Sequence, residues 1–145
     1  MKILIDSREQ LPYRFDTPSV VGTIPTGDYS IEGLEDRIAV ERKEINDLVQ
    51  CLSKHRERFE KELQRGRGLH YFAVVIEGSL ADITNGRYRS LMKAQAALQS
   101  LIAFSIRYRL PIWFCGTRQE AQQVTESLLI KYSREIEKAH QYVNG

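Results

Sequence analysis

Apolar positions along this chain switch repeatedly between a strand pattern and a helix pattern. Ile3-Leu4-Ile5 is an unbroken apolar run of the length a buried strand carries, and it stops at the polar Asp6-Ser7-Arg8-Glu9. From Pro12 to Gly33 proline and glycine punctuate the chain, which leaves room for short strands around Tyr13 to Phe15 and Tyr29 to Ile31. Arg37 to Lys43 predicts a strand that leads directly into a helix. That helix is expected because Ile45, Leu48, Val49, Leu52, Phe59 and Leu63 recur with a 3.6-residue period over about 20 residues. Gly66 and Gly68 end it. Tyr71 to Ile76 is apolar throughout, as in a strand covered on both faces, and Glu77-Gly78 closes it.

A second helix is expected from about Tyr88 to Tyr108, stopped by Pro111. Ile112 to Cys115 then reads as a buried strand with Trp113 in the core. Thr117 and Glu120 have the spacing of a capping box that opens the last helix. The order βββαβαβα, ending in βαβ crossovers, predicts an α/β fold with a mixed central sheet flanked by helices.

Composition narrows the class. With 145 residues and 42% hydrophobic content the chain suits one domain over residues 1–145. A chain of this size buries roughly 68 to 70% of its unfolded surface, so neither disulfides nor a structural metal is required. Cys51 and Cys115 are far apart, in apolar surroundings and without CxxC spacing, and read as buried thiols in a reducing compartment. His55, His70 and His140 lack ligand spacing and read as surface residues. No apolar run approaches 18 residues, and Asp6 cuts the N-terminal run too early for a signal peptide. A soluble, intracellular, cytoplasmic protein with no membrane partner is expected.

The net charge of +2 conceals an uneven distribution. Residues 1–82 hold 15 acids and 12 bases, whereas residues 83–119 hold six bases and no acid. Arg87, Arg89, Lys93, Arg107, Arg109 and Arg118 therefore suit a phosphate-facing surface, with an ordinary solvated helix face as the plainer alternative. Arg56 and Arg58 have the same two readings, phosphate contacts or i,i+4 partners of Glu60 and Glu62.

Charged clusters fall at strand ends, where α/β folds place ligands: Asp6 to Glu9, Gly27-Asp28, Glu41-Arg42-Lys43 with Asp47, and Glu77. Strand alternation sends Glu41 and Lys43 to one face and Arg42 to the other. With Asp28 from a neighbouring strand, two carboxylates then converge with an ammonium. Hard carboxylate oxygens suit Mg²⁺, and a lysine beside them can orient or deprotonate an attacking water, which is the equipment of phosphodiester hydrolysis. Asp47, near a helix N-terminus, also has a plain reading as a partner of the helix dipole.

The longer string is more specific. Gly27-Asp28 followed by Glu41-Arg42-Lys43 and Asp47 resembles the GD…ERKxxxD signature of the XPF family of structure-specific endonucleases. Ile5-Asp6-Ser7-Arg8-Glu9 is similar to that family's D-x-R-E strand end, and Ile76-Glu77-Gly78 to its IEG strand closure. The opening Arg8 to Phe15 and the helix RERFEKEL at Arg56 to Leu63 look like the compact prokaryotic and phage forms. This resemblance implies a restriction-endonuclease-like core, Mg²⁺ or Mn²⁺ dependence, metal ligands at Asp28 and Glu41, and a catalytic lysine at Lys43. Asp6, Arg8, Arg42 and Asp47 fall on further active-site positions. It also implies DNA as partner, at branched, flap or single-strand/double-strand junction structures, held through Arg56, Arg58, Arg87, Arg89 and Lys93. No helix-hairpin-helix module of larger members is expected within this sequence.

A catalytically inert DNA-binding subunit of the same fold is the main alternative. A phosphoesterase acting on nucleotides is a further one, disfavoured by a basic block sized for a polymer. The expected second helix carries Leu91, Leu98, Leu101, Ile102 and Phe104, with Ile106 and Tyr108 beyond, and the third carries Val124, Leu128, Leu129, Ile130 and Tyr132, each wider than one stripe, with wrapping by the N-terminal loop of the same chain as the plainer alternative to an exposed patch. A shared exposed patch and a homodimer follow from that excess, as they do from the resemblance.

Overall fold

A computed structural model describes residues 1–144 of the chain. Its strands are β1 (Ile3–Asp6), β2 (Ser19–Gly22), β3 (Tyr29–Ile31), β4 (Ile38–Glu44), β5 (Tyr71–Glu77) and β6 (Ile112–Phe114). They form one sheet in the order β2-β1-β3-β4-β5-β6. β1 and β2 are parallel, β1, β3 and β4 alternate antiparallel, and β4, β5 and β6 are parallel. The helices are α1 (Ile45–Leu52), α2 (Arg56–Arg67), α3 (Leu80–Thr84), α4 (Ala94–Arg107) and α5 (Arg118–Asn144). The mixed sheet flanked by helices is the architecture the sequence predicts.

Alternation along the strands divides the core in two. Leu4, Ala39, Phe72, Val74 and Ile76 face one side, where α1 to α4 cover them. Ile3, Ile5, Tyr29, Val40 and Val75 face the other, under α5 and the N-terminal loop that carries Tyr13. Cys51 and Cys115 are both buried and free, as expected. Among the described residues no helix is long and apolar enough to cross a membrane.

Four local expectations differ from the structure. Tyr13 to Phe15 is loop rather than strand; Tyr13 and Phe15 instead pack their rings on Tyr29, and the second strand is Ser19–Gly22. The long helix after β4 breaks into α1 and α2 at Ser53 to His55, where the Ser53 hydroxyl donates back to the Val49 carbonyl (2.7 Å). The helix expected from Tyr88 begins only at Ala94: the Arg89 amide donates to the Asn46 side chain and the Met92 amide to the Ser90 hydroxyl, in a loop that follows a separate short helix, α3, capped by Ser79 and Asp82. Arg87 and Arg89 therefore sit in a loop, and Lys93 is the residue that precedes α4. Finally, Trp113 is 44% exposed, since β6 is an edge strand and its outer face is uncovered.

The proposed capping box at the last helix is half made, with the Glu120 amide donating to the Thr117 hydroxyl (3.1 Å). α4 and α5 lie on opposite faces of the sheet, so they do not form one patch. Ile102 and Ile106 remain exposed on α4, while Trp113 and α5 line a separate apolar groove. Part of α5 is covered by the N-terminal loop, through Arg118 to the Leu11 and Pro12 carbonyls and Glu126 to Thr17.

Candidate active site

The site is built on the C-terminal half of β4. Tyr29 of β3 pairs with Val40, and this register brings the turn before β3 against Glu41. Gly27 makes that turn possible: its φ is +95°, and an added Cβ would lie 2.8 Å from the Ala39 Cβ. The Asp28 amide donates to the Val40 carbonyl (2.9 Å), and an Asp28 carboxylate oxygen accepts from the Arg42 amide (2.8 Å). The carboxylate is thus fixed next to Glu41 by backbone alone.

Glu41 is 6% exposed, and its carboxylate lies 3.5 Å from the Lys43 ammonium. Both point to the same side of β4, as alternation requires. Burial pushes the Glu41 carboxyl well above its usual range, and the adjoining carboxylates of Glu62 and Asp28 add to the effect. Burial works against the charge on Lys43, but Glu41, aided by Cys51, Glu62 and Asp28, outweighs it and holds the ammonium above its ordinary value. Lys43 is therefore a cation at neutral pH. Beside Glu41 it is placed to orient a water or steady a phosphate.

Asp6 and Arg8 serve the frame around these groups. The buried Asp6 carboxylate accepts from the Ile24 amide (3.0 Å), the Arg8 amide (3.2 Å) and the Arg8 Nε (2.8 Å). Burial opposes ionisation there, yet these bonds keep Asp6 below its usual pKa. Its oxygens are occupied in holding the loop that ends at Asp28. Arg8 remains largely exposed at the rim, where Asp6, Arg8, Thr26, Asp28, Glu41, Glu62 and Arg65 line a cavity of about 180 Å³.

Arg42 projects to the opposite face. Its guanidinium meets Glu77 (2.7 Å) and Glu9 (3.4 Å), and Glu77 also accepts from the Tyr13 hydroxyl (2.6 Å) and Arg118 (3.4 Å). Arg42 therefore ties β4 to β5 and the N-terminal loop without reaching the cavity. Asp47 is exposed in the first turn of α1, outside the cavity lining.

The basic residues separate in the same way. The Arg56 guanidinium is committed to the Leu52 carbonyl, Ser100 and the Phe104 ring, a packing role between α2 and α4. Arg58, Arg89 and Lys93 are exposed. Arg87 is exposed and paired with Asp82 (2.9 Å). The Arg89 amide donates to the Asn46 side chain (2.9 Å), which seats the basic loop beside the N-terminus of α1.

Sequence reasoning missed Glu62 and Arg65, both in the cavity lining. On α2 they lie beside the buried stripe of Phe59, Leu63 and Gly66. An acid three residues after a core aromatic was the available signal, but it reads equally well as half of a surface ion pair. Asp28, Glu41 and Glu62 offer hard oxygen donors, and Glu62 Oε1 is buried without a hydrogen-bond partner, so the donor set fits a divalent cation. These carboxylates adjoin without yet enclosing a common point: among the described residues no three His, Cys, Asp or Glu side chains do so.

The ERCC4 domain model matches residues 5–128, from β1 into α5. The chain belongs to the ERCC4 domain family. Two solved structures share the ERCC4-type fold: XPF from Aeropyrum pernix (TM-score 0.70, 20% identity) and the same protein in complex with DNA (TM-score 0.69, 20% identity). They cover 91% and 92% of this chain, which spans 61% and 66% of theirs. Among curated proteins no sequence matches. The XPF resemblance carried by the ERK strand, and the restriction-endonuclease-like core it implies, are thereby established.

Proposed function

We propose that this ERCC4 domain is a metal-dependent DNA endonuclease, with Asp28 and Glu41 holding Mg²⁺ or Mn²⁺ and Lys43 acting in the chemical step. The observation that carries this reading is the meeting of the Asp28 and Glu41 carboxylates in the wall of a cavity open to solvent, with the Lys43 ammonium outside that lining but 3.5 Å from Glu41. A divalent ion there would neutralise the scissile phosphate and acidify a water. Asp28 is held rigid by the Arg42 amide, so it keeps its aim when the ion is absent. Lys43, fixed by Glu41, presents positive charge to the growing charge of the phosphate. Arg8 and Arg65 at the rim, with Arg58, Arg89 and Lys93 beyond, suit the flanking phosphates.

DNA is the proposed partner, in keeping with the DNA-bound relative, and its branched, flap or junction forms are proposed from the sequence resemblance. A homodimer is proposed along the β6 edge, where exposed Trp113 adjoins Val124 and Leu128 of α5 in a groove of about 310 Å³. The decisive experiment incubates the protein with labelled single-stranded, duplex, flap, fork and four-way DNAs, with Mg²⁺ or with EDTA. Cleavage of the branched forms, absent with EDTA and in Glu41→Gln, is the expected result. Full activity in Glu41→Gln would overturn the assignment.

A further inference from the structure

The third carboxylate at the cavity meets another carboxyl, Glu41, and pairs with no basic group. α2 is a separate helix from α1, set off by the break at Ser53 to His55, and Gly66 lets it pack hard against the sheet. An added Cβ at Gly66 would lie 2.4 Å from the Phe72 ring. That close seat, with Phe59 and Leu63 buried beneath, delivers Glu62 to the wall of the cavity that holds Asp28 and Glu41. Neighbouring acids on the same helix are spent: Glu60 accepts from Arg107 (2.7 Å) and Tyr108 (2.6 Å), and Glu57 pairs with Lys61. Glu62 faces Glu41 instead, and its Oε1 is sealed from solvent with no donor. A buried acceptor without a partner costs about 1 to 3 kcal/mol, more when charged, so native chains keep few of them.

We propose that Glu62 is a third carboxylate ligand of the divalent cation assigned to Asp28 and Glu41. This inference rests on the metal-site reading above. The ion supplies what Glu62 lacks, a positive partner for an oxygen that the protein leaves bare, and Glu62 adds a ligand from a helix to two from the sheet. Mg²⁺ and Mn²⁺ both accept such an oxygen set. Because the glutamate has three side-chain torsions, it can close on the ion without backbone movement.

The test measures Mn²⁺ binding directly, by electron paramagnetic resonance and calorimetry on the whole protein without DNA. Wild type is compared with Glu41→Gln, Glu62→Gln, Glu62→Asp and the exposed control Glu57→Gln. Glu62→Gln should weaken Mn²⁺ binding by about tenfold or more, Glu62→Asp by less, and Glu57→Gln not at all. Thermal melting supplies a second readout. Without metal, Glu62→Gln should melt no lower than wild type, because the sealed Oε1 has no hydrogen-bond partner to lose, yet gain less from added Mn²⁺. Unchanged Mn²⁺ affinity in Glu62→Gln, with Glu41→Gln impaired, overturns the role of Glu62 alone. A wild type that takes up no Mn²⁺ overturns it together with the metal-site reading.

Discussion

Removing Arg42 should cost the fold more than its place beside two catalytic candidates suggests. Its fork spans both oxygens of Glu77, at 2.7 and 3.3 Å, and reaches Glu9 at 3.4 Å. The side chains of Arg42, Glu77 and Glu9 are only 16%, 9% and 7% exposed, so the pairing lies inside the protein. Breaking such a pair by truncating one partner costs about 3 to 5 kcal/mol, because the other charge stays buried. Glu77 keeps the Tyr13 hydroxyl and Arg118, which points to the lower end, about 3 kcal/mol for Arg42→Ala.

The pH dependence follows from Glu77. Burial opposes its ionisation, but Arg42 and Tyr13 hold its pKa below the ordinary carboxylate value. A depressed native pKa gives stability that is present above the unfolded pKa, about 4.3, and is lost as pH falls through the native value. Urea denaturation of wild type and Arg42→Ala should therefore differ by about 3 kcal/mol near neutral pH, and the gap should shrink steadily below about pH 4. A loss under about 1 kcal/mol at neutral pH, or a gap that persists undiminished in acid, would refute the account of Arg42 as an internal tie.

Lys43→Ala should lower the cleavage rate by a factor on the order of 10² to 10⁴ with DNA affinity little changed, as single-turnover kinetics beside equilibrium binding will register. An equal loss in both would make Lys43 a phosphate anchor. Replacing Arg87 and Arg89 together by Ala should flatten the slope of log affinity against log salt by about two units, and an unchanged slope would leave the loop without a DNA role. Sedimentation at micromolar protein should give twice the chain mass, reduced to a monomer by Trp113→Glu. A monomer mass for the wild type would mean that the β6 edge does not mediate pairing.

The residues that frame the site announce themselves because their local demands are strong. Gly27 must adopt positive φ, Glu41 and Lys43 follow strand alternation, and Tyr71 to Ile76 reads as a two-sided strand. What stayed illegible depends on tertiary placement. Apolar spacing runs with one period through Ile45 to Leu63, and Ser53-Lys54-His55 contains neither glycine nor proline, so nothing in the pattern marks the break. Without that break, Glu62 has no visible reason to meet Glu41. Ser19-Val20-Val21-Gly22 is a half-exposed edge strand with little apolar signature, and Trp113 looks like core because edge position is a property of the whole sheet. Arg42 is legible by half: strand alternation sends it away from Glu41 and Lys43, as the sequence predicts, but its partners Glu77 and Glu9 follow only from the order of the sheet and the path of the N-terminal loop.

The order in which these contacts close along the chain has a kinetic meaning. Asp28, Glu41, Lys43 and Glu62 lie within one contiguous stretch from the turn before β3 to α2, and loops of that size close at modest entropic cost. The clasp over the opposite face spans far more chain: Arg118 reaches Leu11 and Pro12 across 107 and 106 positions, and Thr17 reaches Glu126 across 109. Such long closures come late in folding and open early in unfolding. By sequence separation alone the candidate site is expected to assemble before the N-terminal loop latches onto α5.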